Sequence, residues 1–438
     1  MRRPPFPSRR SRRAFLGGTA VAGTAALAGC TTLYHVLPDR IVYARTRRRD
    51  IPEVPPAVET TDAHVRETAD RIAEHADAAL AVWDRLDEPF GQTPVTRGNI
   101  ESADEFATEA PTKPPVVSTV ESTGLHLHQA AQGDAYARAV LDGFDDDPTE
   151  GVDDGLEAVT ELASQFEYET AAPETFLAYG KSIEHSLHQA ESGLSRRRDA
   201  EIADSDRSDR AEQIATVYSG VQRSRLRVRD AKAYREALRE RDSGSESIRD
   251  SLAESRDELE GRIDDLRATR EEWGDRFDAD EFEGERRDVR SALYSRSASG
   301  ESDLQRATRY LDDGYEVYGT VALADVWLRL TAARDEWERF ETDGTDELDA
   351  VVIDEAKRDA VSRLEDLLVT DPEPLTRLFC SEARTLVSVG DLDLAIDAGE
   401  MDEDQRWSLA NGYARYMLAR GMLDRIPEAV DLLTGDRS

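Results

Sequence analysis

Residues 208–242 read SDRAEQIATVYSGVQRSRLRVRDAKAYREALRERD, and residues 246–277 read ESIRDSLAESRDELEGRIDDLRATREEWGDRF. In both stretches the apolar residues recur at heptad spacing, which predicts two amphipathic helices. Because only a short polar turn separates them, we expect the two helices to fold back as an antiparallel hairpin. The two seams are Ile214, Val217, Val221, Val228, Ala231 and Leu238, and Ile248, Leu252, Leu259, Leu266, Trp273 and Phe277. Polar residues interrupt both seams, so the hairpin is expected to lean on other helices.

Helical spacing continues through most of the chain. It predicts a first helix from Val65 to Leu86, and further helices at about 116–141, about 152–169 and from Pro173 to about 200. A very long pattern extends from Ser302 to about Phe340, and three or four shorter helices follow. Runs of alternating polarity bounded by turns are missing, so the βαβ units of a two-lobed solute-binding protein are not expected. The predicted fold class is an all-α multi-helix bundle.

A faint repeat with an offset of 31 residues lies near the C-terminus. It predicts helical pairs, each a helix closing on glycine followed by a second helix. Chance similarity between two amphipathic helices is the alternative explanation. The matching positions are Ala383/Ala414, Arg384/Arg415, Gly390/Gly421, Leu392/Leu423 and Asp393/Asp424.

The N-terminus has the three parts of an export signal. Six arginines begin it, residues 14–29 are uncharged and small or apolar, and Leu27-Ala28-Gly29-Cys30 closes it. Such an order is typical of a cleaved signal peptide. The 16-residue apolar run is short and weak for a helix that spans a bilayer. An uncleaved N-terminal helix, with Cys30 as a bystander, is the alternative.

Ser11-Arg12-Arg13-Ala14-Phe15-Leu16 resembles the twin-arginine export signal, and Leu27-Ala28-Gly29-Cys30 resembles a lipobox. The resemblance implies that the twin-arginine translocase recognises Arg12 and Arg13, with Phe15 and Leu16 completing the motif. It also implies a covalent lipid on Cys30, which becomes the mature N-terminus and anchors the protein to the outer face of the cell membrane.

These signals, together with the helical patterning, divide the chain into five parts. The prolines after the lipobox indicate a tether between membrane and body. The parts are the signal peptide 1–29, the lipid-anchored tether 30–57, an N-terminal helical bundle 58–205, the hairpin 206–300 and a C-terminal helical region 301–438.

The chain is strongly acidic. It has 92 Asp and Glu residues and 56 Lys and Arg residues, which gives a net charge of −36, and only four of the basic residues are lysine. This composition resembles the surfaces of haloarchaeal proteins and predicts a protein that is folded in high salt, where exposed charges are screened. It argues against nucleic acid as a partner, because phosphate binding needs clustered basic residues. The one such cluster, Arg45, Arg47, Arg48 and Arg49, could face anionic headgroups or be part of a solvated tether.

All seven histidines precede residue 190, and two similar segments, LHLHQAAQG and HSLHQAESG, fall on predicted helices. His128 in the first segment, and Glu184, His185 and His188 in and beside the second, are candidate metal ligands, since facing helices of a bundle can hold an ion. The ferritin-like pattern needs Glu and His three residues apart on two helices, and Glu184 and His188 are four apart. Structural histidines are therefore the ordinary interpretation.

No motif identifies an activity. Nucleophile elbows, phosphate loops and zinc-protease signatures are absent from the sequence, and its acidic loops lack the ligand spacing of a calcium-binding EF-hand. Cys380 has no second cysteine available if Cys30 carries lipid, so a buried thiol is expected. We therefore expect a lipid-anchored binding or structural component of the cell envelope that acts through helical surfaces on envelope proteins. We expect a binding protein rather than an enzyme. The only bound group that we expect is the covalent lipid on Cys30. The alternative is a metal-binding helical-bundle enzyme or metal carrier centred on His128 and His188.

Overall fold

The computed structural model describes residues 39–86, 96–141, 144–203, 205–278, 284–343, 348–395 and 403–435. Of these residues 82% are helical, which confirms the all-α multi-helix class. The twin-arginine motif and Cys30 lie outside the described residues. Within the described ranges, no helix is both long enough and apolar enough to span a membrane.

The helices follow one another with short connections. The first seven are α1 (Asp39–Arg47), α2 (Asp62–Trp83), α3 (Arg97–Glu109), α4 (Val117–Leu141), α5 (Val152–Ser164), α6 (Pro173–Arg198) and α7 (Arg207–Arg241). The next six are α8 (Arg249–Asp278), α9 (Gly284–Asp312), α10 (Glu316–Asp343), α11 (Ala350–Leu368), α12 (Pro374–Asp393) and α13 (Glu403–Thr434). A 3-10 turn, Ala110–Thr112, follows α3, and two short strands, β1 (Glu169–Thr170) and β2 (Glu246–Ser247), pair antiparallel.

Local sequence signals set several helix ends. Thr61 and Asp206 accept hydrogen bonds from backbone amides in the first turns of α2 and α7, and Pro173 occupies the first turn of α6. Helices α2 to α7 pack mainly on one another, and α8 to α13 form a second group. Helix α6 joins the two groups, because it packs on α7 and α5 in the first and on α10 and α12 in the second.

The hairpin expected between residues 208–242 and 246–277 is not formed. Helix α7 packs on α6 and α4, whereas α8 packs on α10, where Trp273 stacks on Trp337 with ring centroids 4.5 Å apart. The linker between them is held elsewhere, since β2 pairs with β1 and Asp242 accepts a hydrogen bond from Ala171 N at 2.9 Å. Most seam residues in the described part of the two helices are buried, with Val217 and Ile248 half-buried, but the two seams do not face each other.

The continuous helix expected from Ser302 to Phe340 is interrupted. Helix α9 ends at Asp312 and α10 begins at Glu316, with Gly314 between them at φ +84°. Gly314 N and Tyr315 N close the end of α9 by donating to Leu311 O and Tyr310 O, the arrangement that a glycine after a helix permits. The break turns Tyr315 toward α6.

The helical pairs expected from the C-terminal repeat are absent. Each copy lies largely within one helix, α12 or α13, and Gly390 and Gly421 are inside those helices. A Cβ atom at Gly390 would lie 2.7 Å from Tyr416, and one at Gly421 would lie 2.9 Å from Ala332. These glycines therefore allow neighbouring helices to approach closely, and they end no helix.

Residues 39–57 were expected to belong to a solvated tether, and the structure shows them docked on the body. Val42 and Tyr43 of α1 are buried against α11. The prolines then carry an extended strap, residues 51–58, across α12, where Arg384 Nε donates to Pro52 O at 2.9 Å. Arg49, counted in the basic cluster, forms an ion pair with Asp354 at 3.0 Å.

A buried charge network fixes this docking. Lys357 of α11 is fully buried, and its ammonium donates to Thr46 O at 2.8 Å, to Arg49 O at 3.0 Å and to both carboxylate oxygens of Asp391 at 2.8 Å. Burial lowers the pKa of Lys357, and the hydrogen bond to Asp391 opposes that shift. The end of α1 is thus held by a cation that satisfies its free carbonyl groups.

We predict that Lys357→Met lowers the free energy of unfolding by about 3 kcal/mol, because it leaves Asp391 and two carbonyl groups without their buried partner. Denaturant unfolding in constant high salt measures the loss. Lys232→Met, at an exposed position on α7, is the matched control and should change stability little. Equal effects of the two substitutions would contradict the assigned role of Lys357.

Candidate functional site

Helix α6 is the element from which the candidate site is built. Phe176, Leu177, Ala178 and Tyr179 are each at most 1% exposed, so one full turn of the helix is enclosed by protein. Gly180 lets α10 approach, since a Cβ atom there would lie 2.9 Å from Val317. The polar residues that follow in α6 are consequently held between the two groups of helices.

A cleft of about 630 Å³ lies beside α6. The strap and the residues before α4 form an apolar wall, and hydroxyl and charged groups from α4, α6, α10 and α12 face it. The wall comprises Val54, Pro55, Pro56, Ala57, Val58, Pro114, Val116, Val117 and Leu378, and the polar residues are Ser118, Glu121, Lys181, Ser182, His185, Tyr318, Ser381 and Glu382. Apolar walls with a few converging polar groups are typical of small-molecule sites.

The charged groups of the cleft differ in how they are satisfied. Glu382 is bound by Arg329 at 3.3 Å, and burial raises the pKa of its carboxyl group. Glu121 is exposed to solvent. Half-buried Lys181 forms no hydrogen bond or ion pair within the described part of the chain. Lys181 is thus the one basic side chain of the described cleft lining, and its charge also acts on nearby Glu382.

His185 forms the boundary of the cleft with a stack of aromatic rings. Its Nδ1 lies 2.9 Å from the hydroxyl of Tyr310, and the rings of Tyr310 and Tyr318 stack with centroids 3.8 Å apart. Burial lowers the pKa of His185 to about 4, and nearby Arg227 and Lys181 act in the same direction. The imidazole is neutral at pH 7, so it can form hydrogen bonds to a ligand but contributes no charge.

Glu184 points away from the cleft, toward a smaller cavity of about 230 Å³. It accepts hydrogen bonds from Tyr168 OH at 2.8 Å and from Tyr318 N at 2.7 Å. Burial raises the pKa of Glu184 to about 7, against the opposing effect of these two hydrogen bonds. A carboxyl group with such a pKa can serve acid–base chemistry, but here both contacts join α6 to neighbouring segments, which is a structural role.

The four candidate metal ligands do not share one site. His188 contacts Asp313 at 3.2 Å, His185 and Glu184 bind the tyrosines described above, and His128 lies near Ser219, Arg197 and Arg223. In the part of the chain that the structure describes, no group of three His, Cys, Asp or Glu side chains is placed to hold a metal ion. The geometry therefore lends the metal hypothesis no support.

The cleft residues were missed in the sequence because they come from five distant segments of the chain. The scarcity of lysine was a usable signal, since lysine is retained at only four positions among many arginines. Lys181 lies in the cleft, and Lys357 lies in the buried network. A compact ammonium group suits such positions differently from the planar guanidinium of arginine.

Cys380 is fully buried on α12, as expected for a thiol that serves as a small hydrophobic residue. Burial raises the pKa of its thiol to about 12. The protonated form is therefore kept, which makes this residue a poor nucleophile.

We predict a pH-dependent stability that originates at Glu184. The folded protein holds its proton up to about pH 7, whereas the unfolded chain releases it near pH 4.5, so the folded state binds more protons between these values. The unfolding free energy should fall by about 3 kcal/mol from this group as the pH rises from about 4.5 to about 7. In Glu184→Gln this contribution is lost, and the variant gains stability relative to the wild type toward pH 7.

The measurement is denaturant unfolding across this pH range at constant salt. Glu157→Gln, an exposed position on α5, serves as the control. A stability difference between wild type and Glu184→Gln that stays constant with pH would refute the assignment.

Two family models match the chain, and their boundary falls at β2. Residues 63–247 match a Domain of unknown function (DUF8262), and residues 245–435 match a Domain of unknown function (DUF8264). No curated protein and no solved structure gives a significant match. The cleft lies between α4 and α6 of the first matched region and α10 and α12 of the second. The chain is thus similar, in its two halves, to two families of domains without assigned function.

Proposed function

We propose that this protein is a lipid-anchored, exported component of the cell envelope that binds a small ligand on the outer face of the membrane. One observation carries the location: a twin-arginine motif at Arg12 and Arg13, an apolar run and a lipobox at Cys30 follow in the order that export and lipidation require. The low lysine content and the net charge of −36 support an environment of high salt. We propose a halophilic archaeon as the source.

The docking of the N-terminal segment supports a body held close to the membrane. Eight residues separate Cys30 from Asp39, where the described chain begins, and they can span at most about 30 Å. From Asp39 onward the chain is packed on α11 and α12. A lipid on Cys30 would therefore keep the α1 end of the body facing the bilayer.

The cleft supports a binding role and suggests the class of ligand. Its apolar wall of proline and valine side chains favours an apolar molecule, and Lys181 favours a negative charge on it. Glu382 is paired with Arg329, which also pairs with Asp303 and Asp325, and Lys181 is the basic side chain of the described cleft lining. We propose an organic anion with an apolar body as the ligand class.

The anchor predicts where the protein goes when the lipid cannot be attached. Cys30→Ser should move the protein from the membrane fraction to the culture medium, because no other described segment can hold it in the bilayer. Fractionation of cells and medium, followed by immunoblotting, measures the shift. Cys380→Ser is the matched control and should remain with the membrane. Membrane association that is unchanged in Cys30→Ser would favour an uncleaved helix instead.

The cleft predicts binding of an aromatic sulfonate. The probe 8-anilinonaphthalene-1-sulfonate combines apolar rings with one negative charge, and we expect its fluorescence to increase on binding. Lys181→Met should weaken this binding about tenfold, which corresponds to the loss of one charge-assisted contact. Lys232→Met should bind as the wild type does. Identical titration curves for wild type and Lys181→Met would exclude the cleft as the anion site.

A further inference from the structure

A second feature of the molecule is a group of basic side chains without acidic partners. Arg196 and Arg197 lie in the last turn of α6, and Arg223 lies in the middle of α7. His128 of α4 is near Arg197 and Arg223. The chain has 92 acidic residues, yet within the described ranges none of these three arginines forms an ion pair. We refer to Arg196, Arg197, Arg223 and His128 as the basic cluster.

Two glycines bring the backbones of α6 and α7 together at this cluster. A Cβ atom at Gly220 would lie 1.7 Å from Arg197 Nε, and one at Gly193 would lie 2.2 Å from Ser224 Oγ. The Arg197 guanidinium thus lies directly on the bare backbone of Gly220, and its Nη1 donates to Gly193 O at 2.8 Å. Glycine at these positions holds the guanidinium in one place.

The cluster has donor groups left over. Arg197 Nε is buried against Gly220 without an acceptor, and within the described residues Arg196 and Arg223 form no hydrogen bond. Arg223 and Arg196 are exposed to solvent, so the cluster opens to the surface. An anion at the surface can therefore accept hydrogen bonds from the exposed guanidinium groups of Arg196 and Arg223, while Arg197, held by its hydrogen bond to Gly193 O, adds a third positive charge.

The electrostatic surroundings are positive. Burial lowers the pKa of Arg197, and the nearby charges of Arg196 and Arg223 lower it further. Burial and then Arg227 lower the pKa of Arg223 in the same way. Arg227 itself is bound to Asp230 at 3.1 Å, so it donates elsewhere. The positive charges of these arginines repel one another, and a bound anion would reduce that repulsion.

Helix electrostatics alone do not explain this cluster. Basic residues in the last turn of α6 interact favourably with the helix dipole, which accounts for Arg196 and Arg197. Arg198, in the same turn, already has Asp153 as a partner at 3.1 Å. Arg223 is far from either end of α7 and gains nothing from a dipole. The helix dipole therefore does not explain why Arg223 lies beside Arg197.

We propose that the basic cluster binds a tetrahedral oxyanion, the phosphate or sulfate group of a free ion or of a lipid headgroup. Arginine donors in a fixed arrangement suit such groups, because their planar N–H groups match the oxygen atoms. This site is separate from the cleft at Lys181 and rests on different residues.

The test is thermal unfolding of the full chain at constant ionic strength, with chloride replaced in part by inorganic phosphate or sulfate. We expect either oxyanion to raise the unfolding temperature of the wild type by about 2 °C or more. Phosphate and sulfate also stabilise folded proteins in general, because they are excluded from the protein surface. Arg223→Gln should therefore show only this general rise, which is smaller than the rise of the wild type. Arg239→Gln, an exposed position on the same helix, should respond to phosphate as the wild type does.

Two results would overturn the proposal. One is an unfolding temperature that neither phosphate nor sulfate changes in the wild type. The other is the same phosphate response in Arg223→Gln and the wild type. Once the response is established, sedimentation with phosphatidylglycerol vesicles, using the Cys30→Ser chain and phosphatidylcholine vesicles as control, separates the sources. Sedimentation that Arg223→Gln abolishes assigns the oxyanion to a headgroup, and no sedimentation assigns it to a free ion.

Discussion

The enclosure of helix α6 is the constraint on which the rest of the structure depends. Its residues 176–179 are fully buried, and Gly180 lets α10 pack closely against it, since a Cβ atom there would lie 2.9 Å from Val317. Because α6 contacts helices of both groups, the residues after Gly180 are presented at a junction. Lys181 and His185 meet the cleft, Glu184 is held by Tyr168 and the backbone of α10, and the C-terminal turn reaches the basic cluster.

Charge is used differently inside the molecule and on its surface. The acidic surface gains little from any single exposed ion pair, and in strong salt it repels itself little. The buried charges are each satisfied by several partners, as Lys357 is by two carbonyl groups and Asp391. Lys181 and the three arginines of the basic cluster depart from this pattern, since none of them forms an ion pair within the described chain. At charged groups of this kind, a ligand could supply the missing partner of opposite charge.

The sequence was a good guide to helices and a poor guide to their partners. Apolar spacing located the helix of residues 173–198 nearly to its ends, since Pro173 begins it and basic residues close it. Heptad seams identified the buried faces of α7 and α8 but not what covers them, because any apolar face satisfies the same pattern. Gly314 was a visible helix stop that the long apolar pattern masked, whereas Gly390 and Gly421 resembled stops and are packing contacts.

The candidate site was beyond sequence reasoning for a related reason. Its walls come from residues 54–58, 114–121, 181–185 and 378–382 together with Tyr318, and only the tertiary fold brings these parts of the chain together. The histidines drew attention because they are few and similarly spaced, yet His185 forms its hydrogen bond with Tyr310 and His188 forms its own with Asp313. The low number of lysines was the more informative signal, because Lys181 lies in the cleft and Lys357 in the buried network.

If Cys30 carries the proposed lipid, the docked segment also determines how the protein can be released from the membrane. Thr46 and Arg49 supply carbonyl groups to Lys357, and Thr46 Oγ1 and the Arg49 guanidinium supply donors to Asp354. A protease that cut within or after this segment would strand two interior charges and so start unfolding of the remaining body. Only a cut between Cys30 and Asp39 would release the folded body intact. The length of that stretch determines how easily a protease can reach it.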